Sequence, residues 1–245
     1  MPINWNISSY TTLPSTQDKL RKILDETPHL NEGFALCAEE QTSGRARHGR
    51  KWEDGKGNLF ISFLLRPEKD RSFCSQLSLI VGISLIEAIK DQININCNII
   101  LKWPNDVLLD NKKSAGILVE AMDIEQQEYP VMIVGVGVNI SSAPIEKSAC
   151  LNDYMNDLVV IDRFKASFFS IFENNYQRWK KFGFKVFKSC FLDYTYPKGS
   201  RIGVKIAKNT ITGEFIDIDE VGNLKLLCDR TQKVREITSG DVFLM

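Results

Sequence analysis

The densest chemistry in the chain lies in residues 42–52, Thr-Ser-Gly-Arg-Ala-Arg-His-Gly-Arg-Lys-Trp. Arg45, Arg47, Arg50 and Lys51 fall within seven residues, and no acid stands among them. Arginine offers planar, paired donors that match phosphate and carboxylate. Gly44 and Gly49 let the backbone approach an anion closely. Such a loop can close around a phosphorylated or nucleotide-like ligand. A solvated basic loop or a nonspecific nucleic-acid patch has the same composition.

Three further segments carry polar groups at useful places. In Lys102-Trp103-Pro104-Asn105-Asp106, Pro104 stops a strand and holds Trp103 extended. Asn105 and Asp106 are then presented at a strand end, where ligand sites of α/β proteins often lie. Asn105 can read polar ligand edges, and Asp106 can position a magnesium ion or its waters. A plain turn accounts for the same residues, with Lys102 solvated or paired with Asp106. Residues 112–120, Lys-Lys-Ser-Ala-Gly-Ile-Leu-Val-Glu, set Lys113 just before a strand start at which Ala115 and Gly116 leave room for a ligand. An exposed hairpin lysine is the simpler account. Ser15-Thr16-Gln17 opens a helix whose unpaired N–H groups can hold a small polar group, although capping alone explains Ser15. Gly135-Val136-Gly137-Val138-Asn139 has GxG after a strand but lacks the third glycine of a dinucleotide fingerprint, and no phosphate-loop GxxxxGK[ST] occurs.

The elements that must position these residues follow from periodicity. A helix is expected over residues 15–26, with Ser15 and Asp18 at capping-box spacing and Leu20, Ile23 and Leu24 on one face. Strands are expected at 34–38, 58–65, 99–103, 115–122 and 129–140, the last two as a hairpin. Helices are expected at 73–92, at 162–182 with Asp162 as cap, and at 184–193. After Tyr196-Pro197-Lys198-Gly199 the chain becomes a run of short alternating segments, such as Ile202, Val204 and Ile206. Short strands over some fifty residues suggest a small barrel, with a domain boundary near residue 196.

Composition narrows the classes. The 245 residues hold 31 Lys+Arg against 31 Asp+Glu, which argues against a dedicated duplex-DNA binder. No apolar run reaches the roughly 20 residues a membrane helix needs, and residues 1–10 lack the pattern of a secretion signal. The six cysteines, none paired as CxxC, read as reduced thiols of a cytoplasmic protein. His29 and His48 stand far apart, so a histidine-based zinc site or a Ser-His-Asp triad finds little support.

Taken in order, Ser-Thr-Gln, then Q-x-x-G-R-x-R-x-G-R-x-W, KWPND, K-x-A-G-I-L-V-E and G-x-G-x-N resemble the biotin protein ligases over most of residues 13–140. The resemblance implies an α+β fold: a mixed β-sheet packed with helices, as in class II synthetases and lipoate ligases, plus an SH3-like C-terminal barrel. It implies a catalytic domain of residues 1–195 and a barrel of 196–245. The implied reaction activates biotin with MgATP to biotinyl-5′-AMP and pyrophosphate, then transfers biotin to a lysine of a biotin carboxyl carrier domain.

Residue by residue, the resemblance places Ser15, Thr16, Gln17 and Gln41 at the biotin ureido head. Arg45, Ala46 and Arg47 fall in the loop over biotin and the phosphates. Arg50 and Trp52 fall beside the nucleotide, with Asn105 and Asp106 on the ATP and magnesium side. Lys113 meets the biotin carboxylate and the adenylate phosphate, Gly116 lines the pocket, and Gly137 and Asn139 wall it next to the nucleotide. Lys113 and Arg47 would act electrostatically in catalysis.

Some positions depart from the family pattern. Ala46 replaces the middle glycine of GRGRxGR, which costs on the order of 1 kcal/mol if that position needs a positive φ. Gln17 stands where Asn is common, and residues 148–153 lack an aromatic that stacks on adenine in some members. With about fourteen residues before Ser15, a winged-helix repressor domain is not expected. A lipoate or octanoyl ligase shares the fold and reaction type. A non-enzymatic nucleotide- or RNA-binding protein is the alternative from another class, with a steep salt dependence as its mark.

Overall fold

The computed structural model describes residues 2–53, 55–92, 97–155 and 157–245. Among these, seven strands form one sheet: β1 (Asn6–Leu13), β2 (Phe34–Gln41), β3 (Leu59–Leu65), β4 (Ile99–Lys102), β5 (Asp106–Leu109), β6 (Lys112–Met122) and β7 (Val131–Val138). Their order across the sheet is β1-β2-β3-β7-β6-β5-β4. The pair β1–β2 is parallel and every other pair is antiparallel, so the sheet is mixed as expected.

Two positions escaped periodicity. β1 is an edge strand of mostly exposed Ser, Thr and Asn side chains, with too little apolar alternation to stand out. β5 is short and turns into β6 through Asp110 and Asn111, both at positive φ (46° and 64°). An Asp-Asn pair tolerates that conformation better than most residues. Lys113 therefore lies inside β6, not ahead of it.

Alternation along the strands gives the sheet two unlike faces. One face carries Ile61, Phe63, Val134, Val136, Ala115 and Ile117 into the main core. That core is closed by α2 (Cys74–Gln92) and α3 (Ile161–Phe182). In α3, Phe164, Phe168, Phe172, Tyr176 and Trp179 recur at three- and four-residue spacing and are all fully buried. Residues 71–91 are apolar and long enough to span a membrane by composition, but 72% of their most apolar 18 residues are buried inside the molecule. Asp162 is not the cap of α3: Val160 takes that position, and Asp162 pairs with Lys165 Nζ at 2.7 Å in the first turn. The segment expected to be a helix from 184 is a 3-10 turn, Phe184–Phe187, followed by α4 (Lys188–Tyr194).

The other face is covered over part of its width by α1 (Thr16–Glu26), whose Leu20 and Leu24 pack on Leu36, Leu64, Val131 and Ile133. Beyond that patch the same face is thinned by a serine and three glycines, in the cross-strand rows Ser62–Gly135–Leu118 and Phe60–Gly137–Gly116. This part of the sheet floors a cavity.

Residues 201–244 form a second sheet of five antiparallel strands: β8 (Arg201–Ile206), β9 (Asn209–Ile218), β10 (Leu224–Cys228), β11 (Val234–Ile237) and β12 (Asp241–Leu244), ordered β11-β10-β9-β8-β12. They make the SH3-like C-terminal unit. The buried Trp103 joins it to the main sheet, its Nε1 donating to Gly222 O at 3.0 Å.

Candidate active site

All fifteen positions that the resemblance places at the site, from Ser15 to Asn139, line one cavity of about 410 Å³. Three regions build it.

At one end stands the first turn of α1. Ser15 is the N-cap, its hydroxyl accepting from Asp18 N at 3.2 Å. Ser15, Thr16 and Gln17 are all buried. Gln41 Oε1 accepts from both Thr16 N (2.8 Å) and Thr16 Oγ1 (3.1 Å). The hydroxyl of Ser62, a residue the sequence did not single out, bridges Thr16 Oγ1 and Gln17 Oε1 at 2.8 and 3.0 Å. Gln17 Nε2 donates to Glu120 Oε2 (2.9 Å) and Ile133 O (3.3 Å). With both amide hydrogens engaged inside the protein, Gln17 offers the cavity an acceptor only.

Over the cavity runs the arginine loop, folded back on itself as a tight hairpin. Trp52 N donates to Gly44 O at 2.9 Å and Ala46 N to Arg50 O at 2.8 Å. The turn is made by His48 (φ 57°) and Gly49 (φ 70°). Ala46 lies at φ −127° and ψ 179°, ordinary extended backbone. The expected strain at Ala46 is therefore absent, because the left-handed residues are two and three places further on. Arg47 Nη1 donates to Asn105 Oδ1 at 2.9 Å. Asp241 of the second sheet reaches Arg47 (3.7 Å) and Arg50 (3.1 Å). Burial lowers the Arg47 pKa, as does the nearby Arg50, against the opposing pull of Asp241 and Asp106.

The third region is the KWPND turn and the start of β6. Lys113 Nζ stands 2.7 Å from Asp106 Oδ1, and Lys102 Nζ 2.9 Å from Asp106 Oδ2. Burial by itself would raise the Asp106 pKa, but the two ammonium groups outweigh it and hold the carboxyl below its ordinary range. Lys113 also lies over the Trp52 ring, 5.1 Å from its centre. The indole itself rests on two glycines. A Cβ at Gly116 would come 2.5 Å from Trp52 Cζ3, and one at Gly137 2.7 Å from Trp52 Cε2. Only residues without side chains let the indole reach the sheet. Its Nε1 is buried and has no hydrogen-bond partner among the described residues.

Charge is distributed unevenly. The chain balances 31 cations against 31 acids, yet the cavity wall carries seven cationic side chains and three carboxylates among the described residues. Arg47 and Lys113 reach neighbouring residues, Asn105 and Asp106, on the same side of the same cavity. Asp241 and Ser62 were missed for different reasons. Asp241 comes from a distant part of the chain, and no local spacing marks it. Ser62 interrupts the apolar run of β3, and a buried serine there was a readable sign.

A mixed sheet with an arginine hairpin over a cation-rich cavity suits an enzyme that brings two anions together, and comparison with known proteins identifies the class. Residues 10–139 match the biotin/lipoate A/B protein ligase family, and the chain belongs to that family. Residues 199–245 match the biotin protein ligase C terminal domain, which narrows the likeness to the biotin branch. The bifunctional ligase/repressor BirA of Bacillus subtilis is 29% identical over 96% of this chain and 73% of that protein. The biotin--[acetyl-CoA-carboxylase] ligase of Paracoccus denitrificans is 29% identical over 94% of this chain and 98% of its own length. Among solved structures, the biotin protein ligase from Aquifex aeolicus in complex with biotin and ATP superposes with a TM-score of 0.82, at 29% identity and 98% coverage of both chains.

Proposed function

We infer that this chain is an ATP-dependent biotin–[acetyl-CoA-carboxylase] ligase that forms AMP, with residues 1–195 as its catalytic unit and 196–245 as its C-terminal unit. The observation that carries the reading is the excess of cations around one cavity whose far end is lined with polar groups. In the first step a biotin carboxylate oxygen attacks the α-phosphorus of ATP. The bond from that phosphorus to the β-phosphate oxygen breaks, and pyrophosphate leaves. Two anions must meet, and Arg45, Arg47, Arg50 and Lys113 offset the charge that develops. In the second step the neutral amine of a carrier-domain lysine attacks the acyl carbon, the mixed-anhydride bond breaks, and AMP leaves with the bonding pair. The arginine hairpin shields the anhydride from water meanwhile.

Ser15, Thr16, Gln17 and Gln41 hold the ureido head, Gly116 lines the pocket beside it, and Arg50, Trp52, Asn105, Gly137 and Asn139 flank the nucleotide. Asp106 does not suit the role of magnesium ligand expected from the sequence. Both of its oxygens are already paired with ammonium groups, Lys113 Nζ at 2.7 Å and Lys102 Nζ at 2.9 Å. Its work is to hold Lys113 and Lys102 in place. Magnesium is assigned to the phosphates of the incoming nucleotide.

The lipoate and octanoate readings are separated by one assay. ATP–pyrophosphate exchange is measured with biotin, lipoate or octanoate as the only acid. Biotin is expected to drive exchange at least about tenfold faster than the others. Equal or greater exchange with lipoate or octanoate would move the chain to the other branch of its family.

A further inference from the structure

Glu120 lies on β6 outside the cavity wall, yet three side chains converge on it, and two of them, Gln17 and Arg45, line the cavity. Its Oε1 receives Arg45 Nη2 at 2.8 Å and faces Arg21 Nη2 at 3.5 Å. Its Oε2 receives Gln17 Nε2 at 2.9 Å and Arg45 Nη1 at 3.1 Å. Arg45 Nη1 also donates to Asp18 Oδ1 at 2.8 Å. The Glu120 side chain is only 19% exposed. Alternation along β6 places it on the same face as Gly116 and Leu118, one row beyond Gln17's contact at Gly135. Burial alone would lower the Arg45 pKa. Its hydrogen bond and charge contact with Glu120, helped by Asp18, reverse that and hold it above the ordinary value.

We propose that Glu120 is a positioning residue that ties the arginine hairpin to the end of the cavity where the acid's head sits. This rests on the ligase reading above. The hairpin is fastened at two places. Arg47 and Arg50 bind Asn105 and Asp241 near the phosphate side, whereas Arg45 binds Glu120 and Asp18 beside α1. The two-pronged guanidinium–carboxylate pair fixes direction as well as distance. The same carboxylate fixes which way the Gln17 amide faces, so the hairpin's position and the acceptor offered by Gln17 depend on one group. Loss of Glu120 frees the Arg45 side of the hairpin and leaves the Asn105 and Asp241 side attached. The consequence falls on the acid substrate, not on the nucleotide.

The test uses the full chain with Glu120→Gln, which keeps an acceptor for Gln17 but removes the charge that pairs with Arg45. The KM for biotin in pyrophosphate exchange is expected to rise about tenfold, matching one charge-assisted hydrogen bond, while the KM for ATP stays within about twofold. Arg45→Met is expected to raise the biotin KM at least as much, and the double variant to be no worse than Arg45→Met alone, since Glu120 acts through that contact. Should Glu120→Gln fail to fold, Glu120→Asp, which keeps the charge but shortens its reach to Arg45, carries the same KM comparison. Equal rises in both KM values, or losses that add in the double variant, would overturn the proposal. Amide hydrogen exchange of residues 43–52 in the ligand-free protein decides independently of catalysis. Faster exchange there in either variant, with the rest of the sheet unchanged, supports the tether, and unchanged exchange refutes it. If the unaltered protein shows no biotin-dependent exchange, the ligase reading fails while this second arm still reports on the tether.

Discussion

Replacing Lys113 with alanine removes the ammonium group that stands nearest the KWPND carboxylate and over the Trp52 indole. An ammonium and a phosphate oxygen about 4 Å apart attract by about 4 kcal/mol at an effective dielectric near 20. The Lys113 side chain is 35% exposed, so solvent screening reduces this to about 3 kcal/mol. At 1.4 kcal/mol per factor of ten, the loss in kcat/KM for biotin-dependent pyrophosphate exchange is about 10²-fold, similar to removal of one oxyanion donor. Stability should suffer far less. Asp106 keeps Lys102 at 2.9 Å, so its charge stays paired and the cost is about 1 kcal/mol, or a Tm lower by about 2–4 °C. The assay is isotope exchange between pyrophosphate and ATP, run beside thermal unfolding. A folded Lys113→Ala protein that exchanges within threefold of the unaltered chain would remove Lys113 from the reaction and with it the electrostatic argument.

Other consequences follow from the same geometry. Gly137→Ala puts a methyl group 2.7 Å from the Trp52 ring, so the indole must leave the cavity floor; pyrophosphate exchange is expected to fall by at least about tenfold with normal far-UV circular dichroism, and an unaffected rate would show that Trp52 has no fixed seat. Ala46→Gly, which restores the family's usual glycine, should bring no gain in biotin KM, because Ala46 is extended; improvement of more than about threefold would mean that the bound loop needs a left-handed residue there. The Asp106 carboxyl is held below its ordinary range, so its ion pairs stabilise the fold above roughly pH 4 and that stability is lost as pH falls through the depressed value. Denaturant unfolding should then show the gap between the unaltered protein and Asp106→Asn constant from pH 7 to about 5 and closing below about 4, and a gap that closes near neutrality would contradict the assignment. Burial pushes the thiols of Cys74, Cys97 and Cys190 up to about 11, so iodoacetamide at pH 7.5 should label them slowly in the folded protein and fast in denaturant; rapid labelling of the folded chain would contradict that burial.

The parts of the site legible in the sequence were those that local chemistry writes down. A run of arginines between glycines, a proline ending a strand before Asn105 and Asp106, and Ser15 three residues before Asp18 each have a local physical meaning, and all three segments line the cavity. The α3 helix was visible because its aromatic stripe repeats with the helix period. What stayed hidden depends on tertiary pairing. β1 is polar at its edge and is held by parallel register with β2, which no pattern within it reveals. Asp241 reaches the hairpin from the second sheet, and the partners of Glu120 come from α1 and the hairpin, so neither contact has a local spacing to mark it. The strain expected at Ala46 followed from the glycine usual in the family pattern, whereas the hairpin bond between Ala46 and Arg50 puts the left-handed turn at His48 and Gly49.

The central claim is that one cavity joins a carboxylic acid to a nucleotide and passes the acyl group to a carrier lysine. Incubating the protein with biotin, MgATP and a biotin carboxyl carrier domain, then measuring the intact mass of the carrier, tests it directly. The account predicts one biotinyl group on the carrier, formed only when all three are present and abolished when the acceptor lysine is replaced. An unmodified carrier, with a folded protein that releases no pyrophosphate in the presence of biotin, would contradict it.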